Sequence, residues 1–231
     1  MRIERTKRGA RIVDDDVILS EILAQPGPTH SLFDVLAATM AELTPGPRLG
    51  MLGFAGGGVV APLRALGCLH TIECVDLDVS AEPLFRELSD AWAGEVLLDE
   101  EDASTWLHRR RGAFDLILED LSVPSPIGTV KPYVSFDALP PLIRRRLKPG
   151  GVAVTNLLPL PGTSWEAILA RIGAPYRCAL VIHLDEYENR VLLCGDDLPD
   201  ARTTGVRLRR ALRALGSDLL RQIRIRTLRY G

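Results

Sequence analysis

Between residues 48 and 157, short apolar runs alternate with segments of helical spacing, and this alternation limits the chain to few folds. The run RLGMLGF leads into a glycine-rich turn and then into a helical segment at 59–67. The same rhythm continues with four more apolar runs: TIECVDLD, GEVLLDEED, FDLILEDL and VAVTNLL. Strands that alternate with helices pair in parallel through right-handed crossovers. The pattern therefore predicts a doubly wound α/β fold with a mostly parallel sheet of the seven-stranded type.

The end of the chain departs from this alternation. Two β-rich runs, YRCALVIHL and NRVLLCGDD, are separated only by DEYE and predict an antiparallel hairpin that closes the sheet. The tail from 205 to 231 is basic and partly amphipathic, which predicts a helical stretch with its arginines on a solvated face.

The start of the chain predicts a short extension before the main domain. Residues 1–45 contain strand-like sequence followed by the helical pattern SLFDVLAATMAEL, which the prolines and glycine of TPGP terminate. We therefore divide the chain into an extension at 1–45 and an α/β domain at 46–231.

Charge and composition exclude several classes of protein. The formal net charge of -2 gives no global electrostatic reason to bind nucleic acid or a membrane surface. No apolar run approaches the ~20 residues of a membrane span, and the charged start of the chain lacks the apolar stretch of a secretion signal. The 4 cysteines show no CxxC pairing, so we expect reduced thiols and no metal site. A cytoplasmic protein is the expectation.

The glycine-rich turn raises the question of what lies against it. Glycine alone permits both left-handed backbone angles and a ligand that lies directly on the main chain, although a ligand-free connection fits the same pattern. Three aspartates, Asp76, Asp102 and Asp120, follow successive strands, and the carboxyl ends of such strands face one crevice. Each aspartate alone fits a helix N-cap or a solvated loop. Together with the turn they predict a nucleoside ligand, either a nicotinamide dinucleotide or S-adenosylmethionine.

Several stretches resemble class I S-adenosylmethionine-dependent methyltransferases, and within them the spermidine synthase-like branch. They lie between about Leu49 and Leu157: LGFAGGGVVAPL, IECVDLD, LLDEEDASTWL, FDLILEDLS and LPPLIRRRLKPGGVAVTNL. The LKPGG turn before a fifth strand, together with the terminal hairpin, separates this pattern from dehydrogenases. The resemblance implies a Rossmann-like methyltransferase fold with S-adenosylmethionine as the cofactor.

The resemblance also implies roles for individual positions. The residues that would line the methionine and ribose portion of the cofactor are Gly53, Phe54, Ala55, Gly56 and Gly57. Asp76 would hold the ribose hydroxyls, with Leu77 beside the adenine. Asp102 and Ala103 would meet the adenine edge, and Asp120 with Leu121 would lie near the sulfonium.

Two positions depart from the pattern of polyamine aminopropyltransferases. Their first turn resembles GGGDGG, and Gly56 stands where that aspartate meets the charged tail of the cofactor. Their fourth strand is followed by DSSDP, whose second aspartate deprotonates the attacking amine, and here Val123 takes its place. The loop that follows supplies Lys131 and no acid before Asp137. Aminopropyl transfer therefore ranks lowest among the functions considered.

Methyl transfer to a small molecule is the function that we expect, and nucleoside binding without catalysis is the alternative. Positioning alone can drive much of a methyl transfer. We expect Asp120 and Tyr133 nearest to the transferred group, with His30 and Glu119 as further candidates. Segments 11–35 and 121–136, the least regular in sequence, should form the acceptor lid. We expect no nucleic-acid or membrane partner and allow for a homodimer.

Overall fold

We describe the chain from a computed structural model that covers residues 2–14, 17–125 and 128–228. Parts of three predicted segments lie outside the described residues, namely 15 and 16 in the N-terminal strands, 126 and 127 in the predicted lid, and 229–231 in the tail.

The described residues form thirteen strands, seven α-helices and two short 3-10 helices. The strands are β1 Arg2–Thr6, β2 Gly9–Asp14, β3 Val17–Leu23, β4 Leu49–Leu52, β5 Ile72–Asp76, β6 Val96–Glu100, β7 Phe114–Glu119, β8 Val123–Ser125, β9 Gly128–Val130, β10 Leu147–Leu157, β11 Cys178–Leu184, β12 Arg190–Gly195 and β13 Ile223–Thr227. The α-helices are α1 Leu32–Leu43, α2 Val60–Ala65, α3 Glu82–Ser89, α4 Ala103–Arg109, α5 Leu139–Arg146, α6 Trp165–Gly173 and α7 Ala201–Leu215. The 3-10 helices are Tyr133–Phe136 and Asp218–Arg221.

The main sheet confirms the predicted doubly wound fold. Over the described residues it has eight strands in the order β13-β11-β12-β10-β7-β4-β5-β6. The five strands from β10 to β6 are parallel, while β12, β11 and β13 pair antiparallel at the other end. The hairpin predicted from its two β-rich runs is β11 and β12. Strand order reverses between β4 and β7, and this is where open α/β sheets bind ligands.

Two apolar layers cover the sheet. One layer packs side chains of α1, α2, α3 and α7 on one face, and the other packs α4, α5 and α6 on the opposite face. Every residue of β7 is buried, as expected for a strand covered on both faces. The short apolar runs of the sequence are therefore the interior strands of this sheet.

The N-terminal strands form a separate three-stranded antiparallel sheet, with the order β1-β2-β3. Ile12 and Ile22 of this sheet belong to the same apolar cluster as α1, α2 and α3. Arg5 pairs with Glu87 of α3 at 2.9 Å, which also joins the sheet to the main body. The N-terminal sheet is thus packed onto the α/β body beside the glycine-rich turn.

Two regions differ from the sequence prediction. The tail is helical only through α7; residues 223–227 then form the edge strand β13, so the sheet has eight strands where the seven-stranded type was predicted. Helix α6 was not predicted, although Ser164 caps it by accepting from the Ala167 N–H at 3.2 Å. The sequence IRIRT of β13 alternates apolar and charged residues, a pattern typical of an edge strand.

No helix among the described residues is long and apolar enough to cross a membrane.

A pair of glycine substitutions tests how tightly the strand ends are packed. Gly53 and Gly67 have similar positive φ angles of 87° and 80°. A Cβ on Gly53 would lie 2.6 Å from the Asp120 carbonyl oxygen, whereas at Gly67 no described atom lies within 4 Å. We expect Gly67→Ala to cost about 1 kcal/mol, the cost of left-handed strain alone. Gly53→Ala should cost at least about 1 to 3 kcal/mol more because the backbone carbonyl cannot move aside.

Urea unfolding of the two variants measures this difference directly. Equal losses of unfolding free energy would show that the β4 and β7 ends are not in the close contact described here.

Candidate functional site

A cavity of about 620 Å³ opens at the carboxyl ends of the central parallel strands. Its floor comes from residues that follow β4, β5 and β7 and from the end of β10: Gly53, Phe54, Ala55, Asp76, Asp78, Asp120, Leu121, Ser122, Asn156 and Leu158. Its cover comes from both predicted lid segments, through Arg11, Ile12, Ile18, Leu19, Glu21, residues 29–33 and Thr129. The cavity lies at the reversal of strand order, where the fold predicts a ligand.

The glycine-rich turn divides into a part that faces the cavity and a part that packs. Gly53, Phe54 and Ala55 line the cavity. Gly56 and Gly57 do not: a Cβ on Gly56 would lie 2.6 Å from Ile12 Cδ1, and one on Gly57 would lie 2.7 Å from the Phe54 ring. These side chains leave no room for a Cβ at either position, and the parts of the turn placed to contact a ligand are residues 53–55 and Gly58.

Asp76 lines the cavity and also holds the turn in place. Its Oδ2 accepts hydrogen bonds from the N–H groups of Phe54 at 2.6 Å and Ala55 at 2.8 Å. Its Oδ1 accepts from the Asp78 N–H at 3.2 Å. A carboxylate offers about four acceptor positions, so the ribose role predicted for Asp76 is compatible with these contacts. The neighbouring Leu77 is 68% exposed and outside the cavity lining.

Asp102 and Ala103 lie away from the cavity. Asp102 is exposed and caps α4, where its Oδ1 accepts from the Thr105 N–H at 2.9 Å. Ala103 is buried in the apolar layer beneath α4. The predicted contact of these two residues with an adenine therefore gains no support from the cavity that the described residues form.

Asp120 lines the cavity floor directly after β7. Asn156 Nδ2 donates to Asp120 Oδ1 at 2.7 Å, and Asn189 Nδ2 donates in turn to Asn156 Oδ1 at 2.9 Å. No donor among the described residues reaches Asp120 Oδ2, which leaves this oxygen to accept from a ligand. Burial raises the pKa of Asp120 from its ordinary 3.8 to about 6, against the opposing charge of Lys131 and the Asn156 hydrogen bond.

Glu119 directly precedes Asp120, but its carboxylate is bound by other protein groups and lies outside the cavity lining. It forms an ion pair with Lys131 at 2.7 Å, and both side chains are 1% exposed. Its Oε1 also accepts from Ser135 Oγ at 3.0 Å and from the Leu121 N–H at 3.1 Å. Glu119 therefore fixes the segment after β7, and its contacts explain why Lys131 is buried in a loop with few other charges.

The two remaining candidates are placed differently. Tyr133 is 64% exposed, lies outside the cavity lining and packs its ring near the Arg171 guanidinium, 5.8 Å from the ring centre. The structure thus does not bring Tyr133 to Asp120. His30 lines the cavity, and its Nδ1 lies 3.1 Å from Asp218 Oδ2.

Several cavity residues were missed by the sequence prediction. Asn156 and Asn189 have no local pattern that marks them, because β10 and the β11–β12 turn bring them together only in the fold. Glu21, inside the predicted lid, is buried and pairs with Arg11 at 3.2 Å. Ser20 and Glu21 interrupt the apolar run VILSEIL, and this interruption is the one local signal that could have indicated them.

Charge in the cavity is predominantly negative. Over the described residues, Glu21, Asp76, Asp78 and Asp120 line it together with Arg11 and His30 as the basic side chains. No group of three or more His, Cys, Asp or Glu side chains within the described ranges is arranged to hold a metal ion. The electrostatic field of the cavity therefore favours a cationic or neutral ligand at this end of the sheet.

Sequence comparison finds no matching family model and no matching curated protein. Comparison of structures finds clear similarities. A probable spermidine synthase from Corynebacterium glutamicum has a TM-score of 0.73 and 17% identity, over 97% of this chain and 86% of that one. Human methyltransferase-like protein 13, in complex with SAH, has a TM-score of 0.62 and 19% identity, over 80% and 90% of the two chains.

Spermidine synthase from Thermotoga maritima is similar at a TM-score of 0.62 and 13% identity, over 94% of this chain and 75% of that one. At these identities the similarity establishes the fold. The chain therefore has the Rossmann-like fold of class I S-adenosylmethionine-dependent methyltransferases and of their spermidine synthase-like branch.

The raised pKa of Asp120 predicts a pH-dependent gain in stability for Asp120→Asn. Between about pH 4 and pH 6 the folded state holds a proton on Asp120 that the unfolded state has released, so stability falls as the carboxyl ionises. The asparagine removes this loss. Because part of the carboxyl faces the cavity, we expect a gain of about 1 to 2 kcal/mol at pH 8 and almost none at pH 4.

Thermal unfolding of wild type and variant across this pH range tests the expectation. Asp200→Asn is the control, because hydrogen bonds to Thr203 lower the pKa of that exposed helix cap and its replacement should give no gain at pH 8. If the gain in stability of Asp120→Asn over wild type is no larger at pH 8 than at pH 4, the environment assigned to Asp120 is wrong.

Proposed function

We propose that this chain is an S-adenosylmethionine-dependent methyltransferase that acts on a small-molecule acceptor, with Asp120 orienting or deprotonating that acceptor. The observation that carries the proposal is the carboxyl of Asp120, which lines the cavity and is held through Oδ1 by Asn156 at 2.7 Å, with no described donor on its second oxygen. Asp120 lies beside Gly53, the first residue of the turn after β4.

The residues of the cavity fit this cofactor. A volume of about 620 Å³ suits a nucleoside-sized ligand. Gly53, Phe54 and Ala55 present main chain to the cavity, and Asp76 has acceptor capacity left for ribose hydroxyls. The excess of carboxylates suits a cation. When bound, S-adenosylmethionine supplies a methyl group on a positively charged sulfur.

The protein's own part in the reaction is to position the acceptor and take up its proton. With a pKa of about 6, Asp120 is ionised at neutral pH and still basic enough to accept a proton, which is the range in which a general base works best. Asn156, itself held by Asn189, fixes the carboxylate through Oδ1, and no described donor occupies Oδ2. The N-terminal sheet and the start of α1 line the cover of the cavity.

We also propose that residues 1–45 are an extension that covers the cavity and that residues 46–231 are the domain that binds the cofactor. Arg11, Glu21 and His30 of the extension line the cavity cover, and the α/β domain supplies the floor. We also propose a cytoplasmic location, because Cys68, Cys74, Cys178 and Cys194 are all free thiols.

Aminopropyl transfer is the second candidate, favoured by the TM-score of 0.73 to a probable spermidine synthase. Three features of the structure argue against aminopropyl transfer. Ile12 and Ile22 fill the space beside Gly56 that an aspartate side chain would need. Val123, in β8, cannot act as a base. Glu21, the cavity acid that the N-terminal sheet contributes, is already paired with Arg11.

A pair of aspartate variants tests the proposed cofactor site. Asp76→Asn keeps an oxygen for the Phe54 and Ala55 N–H groups but loses the second acceptor. We expect the affinity for S-adenosylhomocysteine, measured by calorimetry, to fall about tenfold or more, because a hydroxyl loses a charged partner. Asp102→Asn preserves a good helix cap outside the cavity and should change the affinity less than about twofold.

The same titrations distinguish the alternatives. If Asp102→Asn lowers the affinity for S-adenosylhomocysteine as much as Asp76→Asn does, the predicted contact of Asp102 with the adenine would be supported and the site would extend beyond this cavity. Tight binding of NAD would exclude the proposed cofactor. A preference for decarboxylated S-adenosylmethionine over the intact cofactor would favour aminopropyl transfer.

Catalysis is tested with Asp120→Asn in a transfer assay that detects S-adenosylhomocysteine over phenolic, carboxylate and amine acceptors. For the acceptor that wild type uses, we expect turnover to fall by about 10²-fold or more, while cofactor affinity stays within a few-fold. In wild type, kcat/KM should rise with pH and level off above about pH 6, as Asp120 ionises. Asp137→Asn, which removes a surface ion pair with Arg171, is the matched control and should leave turnover unchanged.

If Asp120→Asn changes acceptor affinity but not turnover, positioning alone drives the transfer. Intact cofactor binding with no transfer to any acceptor class would favour the non-catalytic nucleoside-binding protein.

A further inference from the structure

A second depression, of about 500 Å³, lies where the β11–β12 turn meets the edge strand β13. Its lining is mostly basic: His183, Arg190, Arg224 and Arg226, with Asp185 as the acid and Leu184, Tyr187 and Ile225 completing the wall. Tyr187 also lines the main cavity, so the two cavities are neighbours. The methyltransferase proposal uses none of these basic side chains.

The register of the sheet places the basic residues in one row. His183 lies directly opposite Arg190 on β12 and opposite Arg224 on β13. Arg226, two residues beyond Arg224, lies on the same face of β13. The sheet therefore places Arg190, Arg224 and Arg226 around the His183 imidazole on one face.

The hydrogen bonds of this row leave donors unused. Arg224 pairs with Asp185 through two bonds, at 2.8 and 3.1 Å. Arg190 donates from Nη1 to carbonyls of the turn, at 3.0 Å for Asn189, but its buried Nε has no partner among the described residues. The buried His183 Nε2 likewise has none, and no described side chain pairs with Arg226.

The charges that face His183 act in the same direction. Burial, followed by the charges of Arg190 and Arg226, lowers the pKa of the His183 imidazole. The remaining charged groups of the depression, Arg224 and Asp185, neutralise each other. An uncompensated pair of guanidinium groups therefore remains beside two unpaired nitrogen atoms.

We infer that this depression is an oxyanion site that binds a carboxylate or phosphate group through Arg190, Arg226 and His183. An oxyanion in the depression would accept from the guanidinium groups of Arg190 and Arg226 and lie against the His183 imidazole. The inference goes beyond methyl transfer and does not depend on it. Two sources of the oxyanion are open, a free ion or an anionic group carried by a larger ligand that extends toward Tyr187.

The test is a titration of the full chain with inorganic phosphate, followed through the imidazole resonance of His183 by NMR and assigned with His183→Gln. We expect a saturable shift in the millimolar range and a His183 imidazole that titrates at higher pH in phosphate than in chloride of equal ionic strength. Arg226→Gln should weaken phosphate binding about three- to tenfold, the loss of one charge-assisted partner. Arg213→Gln, an exposed arginine of α7 outside the depression, should not.

A His183 resonance that does not respond to phosphate, or an equal loss of affinity in Arg226→Gln and Arg213→Gln, would overturn the site in favour of general surface charge. Phenyl phosphate and benzoate identify the source. Affinity at least about tenfold above that of inorganic phosphate would assign the site to an anionic group on an organic ligand. Equal affinities would assign it to a free oxyanion. Neither result requires the methyltransferase proposal to hold.

Discussion

The carboxylate of Asp76 ties together the strand ends on which the whole site depends. Its Oδ2 accepts from two successive N–H groups of the β4 turn, including that of Ala55, whose φ of 47° is strained for a residue with a Cβ. Charge-assisted hydrogen bonds offset this strain. The turn is thereby held so that Gly53 passes against the Asp120 carbonyl. One side chain at the end of β5 thus fixes the ends of β4 and β7 as well, and these ends form the cavity floor.

Glu119 and Asp120 are adjacent in sequence, but their carboxylates lie in different surroundings because they point to opposite faces of the sheet. Successive residues of a strand point to opposite faces of the sheet. Glu119 points to the face of α5, where Lys131 and Ser135 satisfy its charge. Asp120 follows on the other face and receives one amide hydrogen bond, from Asn156. Burial with a single neutral partner raises the pKa of Asp120, whereas Glu119 serves as a structural anchor for the loop that follows.

The sequence predicts the strands, their parallel pairing and the edge of the sheet that carries the cavity, because all three follow from local periodicity and from chain direction. It does not predict why Gly56 and Gly57 are glycines. The reason is contact with Ile12, Phe54 and Phe85, two of which are distant in sequence. The amide pair Asn156 and Asn189 lacks a local signal for the same reason. Tyr133 shows the opposite error, since a loop that covers a site need not point its polar side chain inward.

The N-terminal sheet determines which side chains surround the glycine-rich turn. Ile12 and Ile22 pack where an acidic side chain would follow from Gly56, and Ser20 accepts the Gly58 N–H at 3.1 Å. Apolar side chains of the N-terminal sheet thus fill the space beside Gly56, which lies outside the cavity lining. The acid that the extension does supply, Glu21, is neutralised by Arg11. Unpaired positive charge instead lies beyond Tyr187, in the row that contains Arg190 and Arg226. Negative charge in the main cavity and positive charge beyond Tyr187 thus favour a ligand that is neutral or cationic near Asp120 and anionic toward Arg190 and Arg226.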